Sequence, residues 1–158
     1  MSRVEVGSPV PDTEVQATDD QAFRLSDLRG RYVVLYFYPK DNTPGCTTEG
    51  QDFRDQYDEF ETLDTVIYGV SRDSLSSHEG FKKQQCFPFD LIADSNGQLC
   101  EAFDVIKEKV LYGKKSMGIE RSTFIIDREG VLRHEFRKVK VPGHVAAVLA
   151  EIRKLASA

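Results

Sequence analysis

The sequence predicts an α/β fold, a mixed central sheet with helices on both of its faces. Two apolar runs, residues 32–38 (YVVLYFY) and 65–70 (TVIYGV), are continuous rather than alternating, as in strands buried on both sides. A helix-compatible polar segment follows each run, which is the alternation of a parallel sheet. That alternation then stops. Residues 122–126 and 131–139 flank Asp127-Arg128-Glu129-Gly130, a four-residue turn that reads as a β-hairpin and makes the sheet mixed.

Taken in order, residues 1–12 are an extended lead-in punctuated by Gly7, Pro9 and Pro11. Residues 23–28 predict a short strand and turn, broken at Arg29-Gly30. The run 32–38 is the first buried strand, and residues 39–45 form a loop. Phe53, Tyr57 and Phe60 then recur at spacings of four and three, the stripe of one amphipathic helix. Residues 65–70 are the second buried strand, 74–85 a polar helix ended by Pro88, and 89–93 a third strand. The turn Asp94-Ser95-Asn96-Gly97 leads into a short helix through Phe103. After the hairpin, Val145, Val148, Leu149, Ile152 and Leu155 mark one face of a closing helix. A thioredoxin-like sandwich has this order of elements. With no repeat, low-complexity tract or linker, the 158 residues predict a single domain over 1–158.

Composition narrows the function. Twenty-one basic against 26 acidic residues give a formal charge of −5, which argues against nucleic acid or an anionic membrane as partner. The basic segment 133–140 is read as a solvated strand face. No run approaches the length of a membrane span, and the N-terminus lacks the apolar core of a signal peptide, so cytoplasm is expected. The three cysteines do not form a disulfide framework. Neither they nor the scattered His78, His134 and His144 have metal-ligand spacing, and no metal or cofactor is expected.

One cysteine is unusual in its place. Cys46 lies where a buried strand gives way to a helix, behind Pro39 and Pro44. Amides in a first helical turn lack intrahelical partners, and the helix dipole adds partial positive charge there. Both favour a thiolate, the nucleophilic form of cysteine. Pro39 and Pro44 stiffen the loop, and the Thr43 hydroxyl is within reach of a reacting group. Cys100, in "GQLCEAFD", is expected to face the core.

The string Pro39-Lys40-Asp41-Asn42-Thr43-Pro44-Gly45-Cys46 matches the P-x-x-x-T-x-x-C motif of peroxiredoxins. With LSDLRGRYVVLYFYP before the motif and AFDVIKEK and MGIERSTFIID after it, nearly the whole chain resembles the Q-type, or bacterioferritin-comigratory, branch. The resemblance implies reduction of hydrogen peroxide and organic hydroperoxides, with Cys46 the peroxidatic nucleophile that becomes a sulfenic acid. It implies that Thr43 hydrogen-bonds the peroxide, that Pro44 shields the pocket, and that Arg121 is the distant catalytic arginine. A guanidinium there would stabilise the thiolate and the charge moving across the O–O bond. It also implies recycling by thioredoxin, or by glutaredoxin or a small thiol, and a monomer.

The chain departs from its relatives at the resolving cysteine. Many carry one five residues after the peroxidatic residue, where this chain has Gln51. Others place it on the following helix, at the position of Lys82 here, with Cys86 four residues later. Cys86 on that helix face would resolve Cys46 after local unfolding; a one-cysteine cycle with an external thiol stays open beside it. Tyr38 is read as a packed aromatic, with a hydroxyl at the pocket rim as the alternative, and His78 as solvated. Two other functions compete: a disulfide oxidoreductase, since TPGC resembles a C-x-x-C site with threonine for the first cysteine, and an inactive binding module.

Overall fold

A computed structural model describes residues 4–157; the start of the expected lead-in and the last residue of the expected domain lie outside them. Nine strands and five α-helices occur among the described residues. The strands are β1 (Glu14–Ala17), β2 (Gln21–Arg24), β3 (Tyr32–Phe37), β4 (Thr65–Ser71), β5 (Asp90–Ala93), β6 (Ile106–Leu111), β7 (Lys114–Ile119), β8 (Ser122–Ile126) and β9 (Leu132–Phe136). The helices are α1 (Pro44–Asp55), α2 (Tyr57–Thr62), α3 (Leu75–Gln85), α4 (Gln98–Ala102) and α5 (His144–Ala156).

Seven strands form one sheet in the order β2-β1-β5-β4-β3-β8-β9. β3 pairs parallel with β4 and β4 with β5, whereas β8 pairs antiparallel with β3 and β9 with β8. This is the mixed sheet expected. Every residue of β3 is buried, and successive side chains enter opposite cores because strand side chains alternate. Val33, Leu35 and Phe37 pack with Leu99, Phe103 and Phe124 on one face. Tyr32, Val34 and Tyr36 pack with Phe53, Phe60, Phe81 and Ile152, from α1, α2, α3 and α5, on the other. Such two-sided burial is why the run carries no polar alternation.

Two parts of the chain fold differently from the expectation. The stripe Phe53, Tyr57, Phe60 does not belong to one helix: the chain breaks at Gln56 (φ −103°, ψ 7°), and α2 starts afresh. Both phenylalanines remain fully buried, so the break keeps the apolar face while changing direction. A second hairpin, β6–β7, forms its own two-stranded sheet. Its turn residues Tyr112 and Gly113 both have positive φ (54° and 77°), the backbone of a two-residue hairpin loop. No helix among the described residues is long and apolar enough to cross a membrane.

Candidate active site

The parallel strand β3 ends in the core, and the 39–45 loop carries the chain directly into α1. Thr43 is the N-cap, in extended conformation (φ −89°, ψ 152°), and Pro44 takes the first helical position, where a missing N–H costs nothing. Thr47 N–H donates to Thr43 O at 2.9 Å, so the amides of Gly45 and Cys46 have no carbonyl one turn back to bind. Cys46 therefore sits in the first turn, only 2% exposed. The Thr43 hydroxyl donates to Lys40 O at 2.8 Å, which leaves its lone pairs to accept a hydrogen bond.

Arg121 reaches this turn from the short connection between β7 and β8. One guanidinium nitrogen donates to Cys46 Sγ at 3.4 Å, and the other donates to Glu49 Oε1 at 2.6 Å. Gly45 eases this approach, since a Cβ there would stand 3.2 Å from the guanidinium, a tight contact that the arginine would have to shift to relieve. Burial acts to lower the arginine's pKa, but Glu49 and Cys46 outweigh it and hold the group above its ordinary value. The structure brings Arg121 onto the turn that carries Thr43, Pro44 and Cys46, with Pro39 at the loop's other end.

Glu49 was not foreseen. It follows Cys46 by three residues on α1 and is fully buried, with Oε2 making no hydrogen bond among the described residues. Burial pushes its pKa up to about 7, against the opposing pull of Arg121. His144 Nε2 lies 3.9 Å from it. Burial and then Arg121 push His144 down to about 4, so that approach is contact with a neutral ring, not an ion pair. Its Nε2 also lies 2.8 Å from the Thr123 hydroxyl. The spacing Cys46-x-x-Glu49, one helical turn, was the available signal.

The other two cysteines differ sharply. Cys100 is fully buried, and burial, then Asp94, pushes its thiol far up, away from the thiolate. It faces the core, as expected. Cys86 is exposed, but it does not lie on a helix face with Lys82. α3 stops at Gln85, and Cys86 is its left-handed C-cap (φ 55°, ψ 43°), a conformation that usually takes glycine. The segment around it rests on α1: Gln51 Nε2 donates to Gln85 Oε1 at 2.9 Å, and Arg54 donates to Gln85 O at 2.9 Å. Phe87 lies over Gly50, where a Cβ would meet the ring at 2.3 Å.

His78 corrects the sequence reading most directly. It is not solvated but fully buried, one turn before Phe81 on the inner side of α3. Its Nδ1 lies 2.8 Å from Asp41 Oδ2 and its Nε2 3.0 Å from Ile92 O. The Tyr38 hydroxyl is also buried, donating to Asp41 Oδ1 at 2.7 Å, so the rim role does not apply. The basic segment 133–140 is partly engaged: Arg133 pairs with Asp127, and Arg137 donates to the carbonyls of Phe103 and Asp104.

A thioredoxin-like sheet with a buried cysteine at a helix N-terminus, facing an arginine, defines a thiol-chemistry class of protein. Residues 6–135 match the AhpC/TSA family, and the chain belongs to that family. It is 52% identical over 152 residues to Peroxiredoxin Bcp of Bacillus subtilis (strain 168), covering 96% of this chain and 97% of that protein. Peroxiredoxin Bcp of Xanthomonas campestris is 55% identical over 124 residues, 78% of each chain. Among solved structures, a cysteine-to-serine mutant of Xylella fastidiosa PrxQ superposes with a TM-score of 0.93 at 42% identity, covering 99% of both chains. The bacterioferritin comigratory protein of Xanthomonas campestris, studied for its alkyl peroxide reduction activity, superposes at 0.90 with 46% identity, covering 96% of this chain and 99% of that one.

Proposed function

We infer that this chain is a thiol-dependent peroxidase in which Cys46 is the peroxidatic nucleophile. The observation that carries the reading is the guanidinium of Arg121 donating to Cys46 Sγ at 3.4 Å while Glu49 holds its other end. The Cys46 thiolate attacks one oxygen of a hydroperoxide, the O–O bond breaks, and the departing alkoxide or hydroxide takes a proton. Sulfur is oxidised by two electrons to the sulfenic acid. Arg121 supplies donors to the oxygens as charge moves between them. Thr43 accepts the peroxide O–H, and Pro39 and Pro44 fix the loop that presents it.

The sulfenic acid is then attacked by a thiol, with water lost and a disulfide formed. Contacts between α1 and residues 85–87 favour Cys86 as that thiol, because Gln51, the position of the in-helix cysteine in many relatives, bonds to the residue next to it. The left-handed backbone at Cys86 and its exposure both favour opening of this segment. Thioredoxin, glutaredoxin or a small thiol returns the disulfide to dithiol. The protein acts as a monomer in the cytoplasm. Neither competing reading is favoured: with threonine at position 43, the dithiol of a C-x-x-C oxidoreductase is missing.

Peroxide consumption with a thioredoxin system tests this. Wild type turns over and Cys46→Ser does not, with an unchanged circular dichroism spectrum. Turnover of Cys46→Ser within a few-fold of wild type would overturn the assignment. Loss of thioredoxin-supported turnover in Cys86→Ser, with dithiothreitol-supported turnover retained, is expected if Cys86 resolves; equal turnover in both would leave the one-cysteine cycle.

A further inference from the structure

Of residues 39–45, only Asp41 is buried, at 4% exposure. Its carboxylate collects donors from elements on either side of the loop. The Tyr38 hydroxyl, at the end of β3, donates to Oδ1 at 2.7 Å, and the Ser77 hydroxyl, on α3, donates to Oδ2 at 2.7 Å. His78 Nδ1 faces both oxygens, at 3.1 and 2.8 Å. The far ring nitrogen of His78 faces the Ile92 carbonyl of β5 at 3.0 Å, so the ring bridges the Asp41 carboxylate and the β5 backbone. Burial alone would raise the Asp41 pKa, but the hydrogen bonds from His78 and Tyr38 outweigh it and hold the carboxyl below its ordinary value. The Asp41 amide completes the tie, donating to Asp73 Oδ2 at 2.8 Å, and Asp73 is held in turn by Ser71.

We propose that Asp41 and His78 are positioning residues for the peroxide step: their buried pair fixes the loop that sets Thr43 and Pro44 beside Cys46. The inference rests on the assignment of Cys46 made above. Downstream of Asp41 the loop joins α1 at Thr43, whose carbonyl accepts from Thr47 N–H at 2.9 Å, so the anchor sets how that first turn is presented. Asn42 turns through a left-handed conformation (φ 63°) and is exposed, Pro44 is exposed, and the Thr43 side chain bonds only within the loop, to Lys40 O. Asp41 is two residues from Thr43, so a shift of the anchor is passed on with little damping. A displacement of about 1 Å in a group that orients a reactant can cost on the order of 10²-fold in rate. Neither residue can touch a peroxide, because both are buried in the network. The ligand atoms of Asp41, Asp73 and His78 lie within 4.8 Å of one another, but protein donors already occupy both Asp41 oxygens and Asp73 Oδ2. The cluster is a hydrogen-bonded clamp, not a cation cage.

The test compares two rates for Cys46 in reduced Asp41→Asn, His78→Gln and Ser77→Ala proteins: oxidation by hydrogen peroxide and alkylation by iodoacetamide, both followed by peptide mass. Alkylation needs the thiol exposed and ionised but not the placement of Thr43, so a purely structural role would leave the ratio of the two rates unmoved. Asp41→Asn and His78→Gln are expected to lower peroxide oxidation about tenfold or more while alkylation stays within about twofold of wild type. Peroxide rates within about twofold of wild type in folded variants, or both rates falling together, would overturn the proposal. If those two variants do not fold, Ser77→Ala decides, since it removes one donor at a half-buried position. A lowered ratio there supports the clamp and an unchanged ratio overturns it. Failure of wild-type Cys46 to react with peroxide is a separate result and would sink the site assignment itself.

Discussion

Replacing Glu49 by glutamine removes a buried carboxyl while keeping its shape and an oxygen for Arg121. In the wild-type fold this carboxyl is pushed from 4.5 to about 7 by burial, despite the arginine. A group with a raised folded pKa contributes stability that is complete below its unfolded pKa and is lost as pH rises through the folded one. The window is therefore about pH 4.5 to 7. Between pH 5 and 8 the contribution of Glu49 should fall by about 2–3 kcal/mol, from roughly 1.4 kcal/mol per pKa unit. Glutamine does not titrate, so wild type should lose that much relative to Glu49→Gln over the same range. For a chain of this length that is about 5–10 °C in relative melting temperature. His144, pushed down to about 4, has the opposite slope: its contribution is complete above about pH 6.5 and lost as pH falls. It is present in both proteins and cancels in the difference. Thermal melts of the reduced proteins at pH 5, 6, 7 and 8 provide the assay. A difference constant within about 0.5 kcal/mol would refute the reasoning, because Glu49 would then be ionised throughout and Arg121 would dominate over burial.

Arg121→Gln removes the donor to Cys46 Sγ and should slow its oxidation by peroxide by a factor corresponding to about 2.7–4 kcal/mol, as for a lost oxyanion donor; rapid-quench mass spectrometry would measure it. Gly50→Ala places a Cβ 2.3 Å from the Phe87 ring and should destabilise the fold by about 1–3 kcal/mol through overpacking, read from urea unfolding. Cys86→Gly relieves a left-handed backbone (φ 55°) and should stabilise the reduced protein by about 1 kcal/mol relative to Cys86→Ser, with the same unfolding assay as the check.

Much of this architecture was legible because burial leaves a plain mark on sequence. The β3 run is apolar throughout because it faces two cores, and the valines and leucine of α5 repeat at helical spacing because one side is covered. The hairpin β6–β7 was not legible. Its strands are mostly exposed and rich in lysine, so no burial pattern marks them, and only Tyr112-Gly113 signals the turn. The break at Gln56 was hidden for the opposite reason: the apolar stripe runs across it. At the site, the motif around Cys46 and the distant Arg121 were readable as a pattern of residue types. Glu49 and His78 were not, because a charged or polar residue on a helix is ordinarily solvated. Only the fold reveals that α1 turns Glu49 toward Arg121 and that α3 brings His78 over Asp41. The sequence places Cys86 on the helix face of Lys82, whereas its left-handed cap depends on where α3 stops.

The most direct measurement is peptide mass mapping of the fully reduced protein after one equivalent of hydrogen peroxide, with sulfenic acid trapped and free thiols alkylated. Cys46 should carry the oxidation, either as the trapped sulfenic acid or in a disulfide with Cys86. Cys100, fully buried with its thiol pushed far up, should remain reduced. Cys46 recovered fully alkylated while peroxide is consumed, or Cys100 oxidised before it, would contradict the assignment of Cys46 as the nucleophile.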